Sequence, residues 1–247
     1  MGDPCGSFGE PCRVYEQEAV RCVVDEAIRP GGLALTAYAL SRCVLPEGSR
    51  VLDVGCGMGA TVAYCRAHGL AAAGVDASDL LLHAGDYDGA ALPMARGTGL
   101  RLPFAGVCAD ALFAECSLSL MPSLADALAE FFRVLRPGGW LIVSDLYARS
   151  PEHIPLLRAL PLACCLSSAL SQQTLLVELR AQGFTPVIWE DHSEALKQFA
   201  ARLIFEHGSL AQFWSAMTAG SLDGDAVQCV VGQAKPGYFL LIARKQA

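Results

Sequence analysis

The stretch VLDVGCGMGA, residues 51–60, combines an acid with unusual backbone freedom. Asp53 stands two residues before Gly55, and Gly57 and Gly59 follow at alternate positions. Glycine permits positive φ and lets a ligand approach the backbone closely. A loop of this kind that opens a helix presents free N–H groups backed by the helix dipole, which favours a negative ligand group. The string also satisfies G-x-G-x-x-A through Gly55, Gly57 and Ala60, a spacing compatible with a dinucleotide. Asp53 argues the other way. Still on the strand, it would repel a pyrophosphate and suits a cationic or amide-like group. Thr61 follows in the first turn of the helix.

These residues need a strand before them and a helix behind them. RVLDVG is short, apolar and β-branched, a strand, and MGATVAYCRAHG is a helix closed by Gly69. AAAGVDAS is a second strand ending on its acid, Asp76. SDLLLHAGDYDGAALPMARG holds a helix and then a loop, and CADALFAECSLSL contains a strand. In SLADALAEFFRVLRPGG, Leu124, Leu128, Phe131, Phe132 and Leu135 share a helix side, with Ser123 as N-cap and Pro137-Gly138-Gly139 as stop. WLIVSDLYA, TPVIWEDH and GYFLLIARK are the later strands. Upstream, residues 14–28 form an amphipathic helix ended by Arg29-Pro30-Gly31-Gly32, and LALTAYALSRCVL forms a second helix. Strands alternating with helices over connections too long for hairpins imply right-handed βαβ units and a parallel sheet. The final strand follows a helical insertion rather than a crossover, which suits an antiparallel edge.

Composition narrows the function. At 247 residues, 53% apolar and 17% charged, the chain can bury a large α/β core. Its net charge of −7 argues against a nucleic-acid surface. No run of about 18 uncharged apolar residues suggests a membrane span, and the start MGDPCGSFGEPC lacks the features of a signal peptide. Eleven cysteines in such a chain read as reduced thiols in a cytoplasmic protein. None lies at zinc-site spacing, so no metal is expected and the thiols read as small buried hydrophobes.

In its ordered motifs the chain resembles the class I S-adenosylmethionine-dependent methyltransferases. VLDVGCGMG matches their first motif, and GVDAS their ribose acid. GTGLRLPF, CADALFAECSLSLMP and FFRVLRPGGWLIVSDLY match the adenine loop, the fourth strand and the fifth helix-strand unit. The subgroup it is most similar to is the small-molecule enzymes of ubiquinone and menaquinone biosynthesis. The resemblance is strong over residues 45–150 and weak on either side. It implies a Rossmann-like, doubly wound, mostly parallel seven-stranded sheet with an antiparallel last strand and a helical cap. It implies one methyltransferase domain over residues 1–247: N-terminal helices over 1–45, a cofactor core over 46–150, and a C-terminal half over 151–247 with a cap insertion at about 193–235.

The resemblance also implies S-adenosylmethionine as cofactor. Asp53, Gly55, Cys56, Gly57 and Gly59 would hold its methionine part, Asp76 the ribose, and Ala77, Ser78, Thr98 and Gly99 the adenine. Thr98 is a departure, because the family often has an acid there. One neutral hydrogen bond contributes only about 0.5–1.5 kcal/mol, so weaker binding follows rather than lost binding.

Methyl transfer is mostly positioning, and a base is needed only for a protonated acceptor. Glu115, after the fourth strand, and Tyr147, after the fifth, are the candidates to face the reacting groups. Glu115 could instead contact the cofactor or cap a turn, and Tyr147 could simply pack under the cap. His153 and His192 follow strands on the same side, although a lone histidine is more often an ordinary loop residue. Arg29 could pair with the methionine carboxylate or only end its helix. The acceptor reads as a small, partly apolar molecule. No D/N-P-P-Y/F tetrapeptide points to a nucleobase amino group. Other readings stay open: a non-catalytic S-adenosylmethionine-binding regulator, an NAD-dependent dehydrogenase, or a metalloid methyltransferase acting on arsenite through Cys116 or the Cys164-Cys165 pair.

Overall fold

The structure is a computed structural model, and it describes residues 15–16, 27, 29–84, 91–160, 162, 164–218, 220 and 222–246. The helix expected over residues 14–28 falls almost wholly outside them. Seven strands form one sheet: β1 (Arg50–Val54), β2 (Ala71–Asp76), β3 (Met94–Arg96), β4 (Ala109–Glu115), β5 (Leu135–Ala148), β6 (Phe184–Asp191) and β7 (Pro236–Lys245). Their order is β3-β2-β1-β4-β5-β7-β6. The first five are parallel, and β7 lies antiparallel between β5 and β6.

Helices cover both faces. They are α1 (Gly32–Ser41), α2 (Ala60–Ala67), α3 (Asp79–Ala84), α4 (Leu124–Val134), α5 (Ile154–Arg158), α6 (Gln172–Ala181), α7 (Ser193–His207), α8 (Leu210–Met217) and α9 (Gly224–Ala234). Because successive strand residues point to opposite faces, each strand feeds two cores. Val51, Ala111 and Phe113 pack with Leu35 and Ala39 of α1, Val62 and Cys65 of α2, and Val227 and Val231 of α9. Leu52, Val54, Leu112 and Ala114 pack with Leu128, Phe131 and Val134 of α4 and Leu175 and Leu179 of α6. The anticipated N-cap is present, since Ser123 Oγ accepts from Asp126 N.

The structure departs from the sequence reading in three places. Residues 94–96, read as loop, form β3. That strand has no apolar run of its own and is defined by pairing Met94, Ala95 and Arg96 with Gly74, Val75 and Asp76 of β2. β5 begins at Leu135, which pairs with Ala109 before the register shifts and Trp140 pairs with Ala111. The Pro137-Gly138-Gly139 stop therefore lies inside a strand irregularity, with Gly138 at φ 73°. The final strand β7 is antiparallel as read but is not an edge strand, because β6 pairs along its other side and takes the edge. No helix among the described residues is long and apolar enough to cross a membrane.

Candidate cofactor and active site

A cavity of about 510 Å³ opens beyond the carboxyl ends of β1, β2 and β4, where open α/β sheets bind their ligands. The glycine loop forms its floor, and its three glycines answer different needs. Gly55 (φ 79°) must lack a side chain because a Cβ there would collide with Ser117 Cβ. Gly59 (φ 93°) begins α2, and a Cβ would come 2.6 Å from Met94 Sδ. Gly57 (φ 53°) has nothing within 4 Å of its virtual Cβ. Of the three, only Gly57 keeps space clear rather than avoiding a protein neighbour. Gly55, Cys56 and Gly57 line the cavity, together with Met58 and Ala60.

Asp76 ends β2 with its carboxylate over the loop. Oδ2 accepts from Gly57 N at 2.7 Å, and Oδ1 accepts from Ser78 N at 2.8 Å. Burial raises its pKa, and these backbone N–H groups oppose the rise. Ala77, Thr98 and Gly99 also line the cavity. Ser78 does not. Its hydroxyl accepts from Leu81 N at the start of α3 and donates to Glu16 Oε1 at 2.5 Å.

Asp53 is buried behind the loop, in register with Gly74 on one side and Phe113 on the other. Burial pushes its carboxyl up to about 8. The negative charge of Glu115 adds to the rise and Arg29 opposes it. Glu115 is equally enclosed, and both its oxygens are engaged. Oε1 accepts from Thr36 Oγ1 at 3.0 Å, Oε2 accepts from Thr61 Oγ1 at 2.7 Å, and Arg29 Nη2 stands 3.0 Å from Oε2. The same Nη2 reaches Thr36 Oγ1 at 2.7 Å and Thr61 Oγ1 at 2.8 Å. Arg29 and Glu115 both line the cavity. The buried Nε of Arg29 has no partner among the described residues, so the guanidinium retains donor capacity. The arrangement balances one buried positive charge against one buried negative charge and leaves Asp53 as surplus acid.

The other candidates lie elsewhere. Tyr147 does not line the cavity. Its side chain points to the opposite sheet face, where it meets Trp189 and Phe239 edge-on and donates to Asp191 Oδ2 at 2.6 Å. His192 pairs with Glu190 at 3.1 Å and His153 stands beside Glu152, and neither lines the cavity. No residue of α7 or α8 lines it either. Phe205 of α7 is 87% exposed, because Leu203 faces inward at two residues' distance. Sequence reading passed over Tyr15, Leu120, Met121 and Pro122, which line the cavity. The last three follow β4 in the segment SLSLMP, whose position beyond a strand carboxyl end was the available signal. Tyr15 gave none beyond its helical spacing. Cys116 lines the cavity, whereas Cys164 and Cys165 stand behind its wall.

The chain is similar to known methyltransferases. Residues 52–143 match the family described as a methyltransferase domain. A demethylmenaquinone methyltransferase from Corynebacterium kroppenstedtii is 29% identical over 224 residues, covering 85% of this chain and 90% of that protein. A malonyl-acyl-carrier-protein O-methyltransferase from Enterobacter lignolyticus is 32% identical over 147 residues, covering 59% of this chain and 55% of its own length. The match thus spans about half the length of some curated relatives. Among solved structures, the cyclase SpnF is similar with TM-score 0.65 at 28% identity, covering 87% of this chain and 81% of that one. Phosphoethanolamine N-methyltransferase 2 of Haemonchus contortus, in complex with S-adenosylmethionine, is similar in fold with TM-score 0.74 at 15% identity, covering 98% of this chain and 59% of that one. Residues 52–143 thus match a methyltransferase domain, and the fold of the chain is that of the methyltransferase structure named above.

Proposed function

We propose that the chain, as one methyltransferase unit, transfers a methyl group to a small, partly apolar acceptor in the cytosol. The observation that carries this reading is the pairing of an open glycine, Gly57, with the acid that accepts its N–H, Asp76. Bound S-adenosylmethionine supplies a methyl group already activated on a sulfonium.

The residues then divide the work. Gly57 keeps space free at the loop. Asp76 takes the ribose hydroxyls, for which a carboxylate makes charge-assisted bonds. Ala77, Thr98 and Gly99 border the adenine. Asp53 stands behind the loop as a carboxyl held up to about 8, which the positive charge of the bound cofactor would draw toward its ionised form. Arg29 stands at the wall, where its positive charge can attract a carboxylate, and Glu115 holds Arg29 there. Both oxygens of Glu115 are engaged, so its role here is positioning rather than proton abstraction. Leu120, Met121 and Pro122 give the cavity its apolar side, which suits an acceptor with an apolar body. With the cofactor held there, an acceptor lone pair would take the methyl carbon in line as the carbon–sulfur bond breaks to leave the thioether S-adenosylhomocysteine, and the contribution of these residues would be orientation and exclusion of water. Eight free cysteines among the described residues fit a reducing compartment.

Two measurements test the reading. Calorimetric titration with S-adenosylhomocysteine should give saturable binding, and NAD should give none. Incubation with methyl-labelled S-adenosylmethionine and a panel of quinols, carboxylic acids and small thiols should label at least one acceptor. The similarity to a cyclase makes the second measurement necessary, because binding alone does not establish transfer. Binding without transfer to any class of acceptor would favour a regulator that keeps the fold.

A further inference from the structure

Behind the acceptor side of the cavity, Cys116, Asp145 and Cys165 converge from three separate segments. One donor atom of each lies within 4.8 Å of the other two, and all three residues are buried. Cys116 directly follows β4 and adopts φ 51°, a conformation uncommon for a residue with a side chain. Its N–H is fixed by Ser144 O at 2.7 Å. Each sulfur also meets a phenol. Tyr15 Oη donates to Cys165 Sγ at 2.8 Å, and Tyr238 Oη stands 3.3 Å from Cys116 Sγ. Asp145 is oriented by Ser119 N and Ser119 Oγ, both at 2.9 Å, and by Leu146 N at 2.8 Å. Among the described residues no cationic side chain forms an ion pair with it. Buried carboxylates ordinarily pair with a cation or coordinate a metal.

We propose that Cys116, Cys165 and Asp145 bind a divalent zinc ion at the wall of the methyl-donor cavity. Two thiolate sulfurs and one carboxylate oxygen are a donor set zinc accepts, at about 2.3 Å from sulfur and 2.0–2.2 Å from oxygen. Donors on a common tetrahedral ion stand roughly 3.5–3.8 Å apart by that geometry. Closing from at most 4.8 Å therefore takes movements of no more than about 1 Å. The phenol and backbone donors already in place would orient the ligands from outside, as supporting groups do at metal centres. Three protein donors leave a fourth position for water or a ligand. Cys116 and Tyr15 both line the cavity, so the ion would stand at its edge.

The test uses the full chain, stripped with a chelator, dialysed under a non-thiol reductant and titrated with zinc against a chromogenic competitor. One zinc per chain with a dissociation constant tighter than about 1 μM is expected. Cys116→Ala and Cys165→Ala should each weaken it at least roughly 100-fold, and Asp145→Asn by about 10-fold or more. Cys229→Ser, at an exposed position on α9, should leave it unchanged. Cobalt(II) added to the unaltered chain should give sulfur-to-cobalt charge-transfer absorption and the intense visible bands of a tetrahedral site. This readout does not depend on any variant folding. The proposal is overturned if the unaltered chain takes up no stoichiometric zinc, if its cobalt spectrum lacks the sulfur band, or if folded Cys116→Ala and Cys165→Ala proteins bind zinc like the parent. None of these outcomes bears on methyl transfer, which the acceptor panel measures separately.

Discussion

The N–H of Gly57 donates to Oδ2 of Asp76 over 2.7 Å. The carboxylate proposed to hold the ribose therefore also braces the loop proposed to hold the methionine part. Asp76→Ala should weaken S-adenosylhomocysteine by roughly 10- to 150-fold, from about 1.5–3 kcal/mol for hydrogen bonds to a charged group at 1.4 kcal/mol per decade. Asp76→Asn retains an acceptor for Gly57 and should fall between the two. Calorimetric titration decides, and equal dissociation constants in all three proteins would remove Asp76 from the site.

Gly55 and Gly57 make a matched pair for separating fold from ligand. A methyl group on Gly55 would strike Ser117, whereas one on Gly57 meets only open space. Both sit at positive φ, where a side chain costs about 1–2 kcal/mol. Gly55→Ala should therefore lose more thermal stability, with each kcal/mol shifting Tm by about 2–4 °C in a chain this size. Gly57→Ala should stay closer to the parent in Tm yet lose at least about tenfold in cofactor affinity. Thermal melts and titrations on the same samples give the comparison. If Gly57→Ala binds as well as the parent, the cofactor lies elsewhere.

The geometry of the loop and its acid follows from local patterns. Gly55, Gly57 and Asp76 were legible because a strand, a tight turn and a terminal acid are all local patterns. The two sheet faces could be read from alternation and helical stripes. Tyr147 misled because its face depends on the register of β5, and one residue's difference along a strand reverses the direction of a side chain. Arg29 and Glu115 are 86 residues apart, so their ion pair belongs to the topology and no local pattern could disclose it. The sequence singled out Cys116 and the Cys164-Cys165 pair separately, but their meeting with Asp145 was invisible for the same reason, since metal-site spacing is a signal only when ligands share a short segment.

That ion pair makes Glu115→Gln informative. Arg29 and Glu115 side chains are 10% and 3% exposed, and removing one partner of a buried pair typically costs about 3–5 kcal/mol. Glu115→Gln should lower the denaturant midpoint strongly, because Arg29 loses its ion-pair partner. Adding Arg29→Met should recover part of that loss while cofactor affinity stays impaired. If Glu115→Gln is fully stable but slow in transfer at saturating substrates, Glu115 acts on the reacting groups instead.

Asp53 predicts a pH dependence whose sign can be worked out. Its carboxyl is held at about 8 in the folded chain, first by burial and then by Glu115, against about 3.9 when unfolded. Between these values the folded state holds a proton that the unfolded state has lost. That contribution to stability is complete below about pH 4 and disappears as pH rises through about 8. Asp53→Asn cannot ionise, so its Tm should gain on the parent as pH is raised from about 4.5 to 9. Its affinity for S-adenosylmethionine should fall at the same time, because the amide cannot take up the charge that a bound sulfonium would favour on the carboxyl. A Tm difference that does not change with pH would contradict this account.

The helices between β6 and β7 are proposed to act on the acceptor through Tyr15. Leu203 and Phe213 form a small cluster against which Phe199, Trp214 and Tyr15 pack. Trp214 Nε1 donates to Gln228 Oε1 at 3.0 Å, joining α8 to α9. Tyr15 alone of these residues lines the cavity, and its hydroxyl is held by Cys165. A change in the helical cluster can thus move one wall residue without touching the glycine loop. Phe199→Ala and Trp214→Ala should raise the acceptor KM several-fold and leave S-adenosylhomocysteine affinity within a few-fold. Tyr15→Ala should have the larger effect in the same direction. Phe205→Ala, at a position open to solvent, should do neither. Steady-state kinetics with the acceptor found by the label screen is the check, and an unchanged KM in all three cluster variants would assign acceptor choice to the segment after β4.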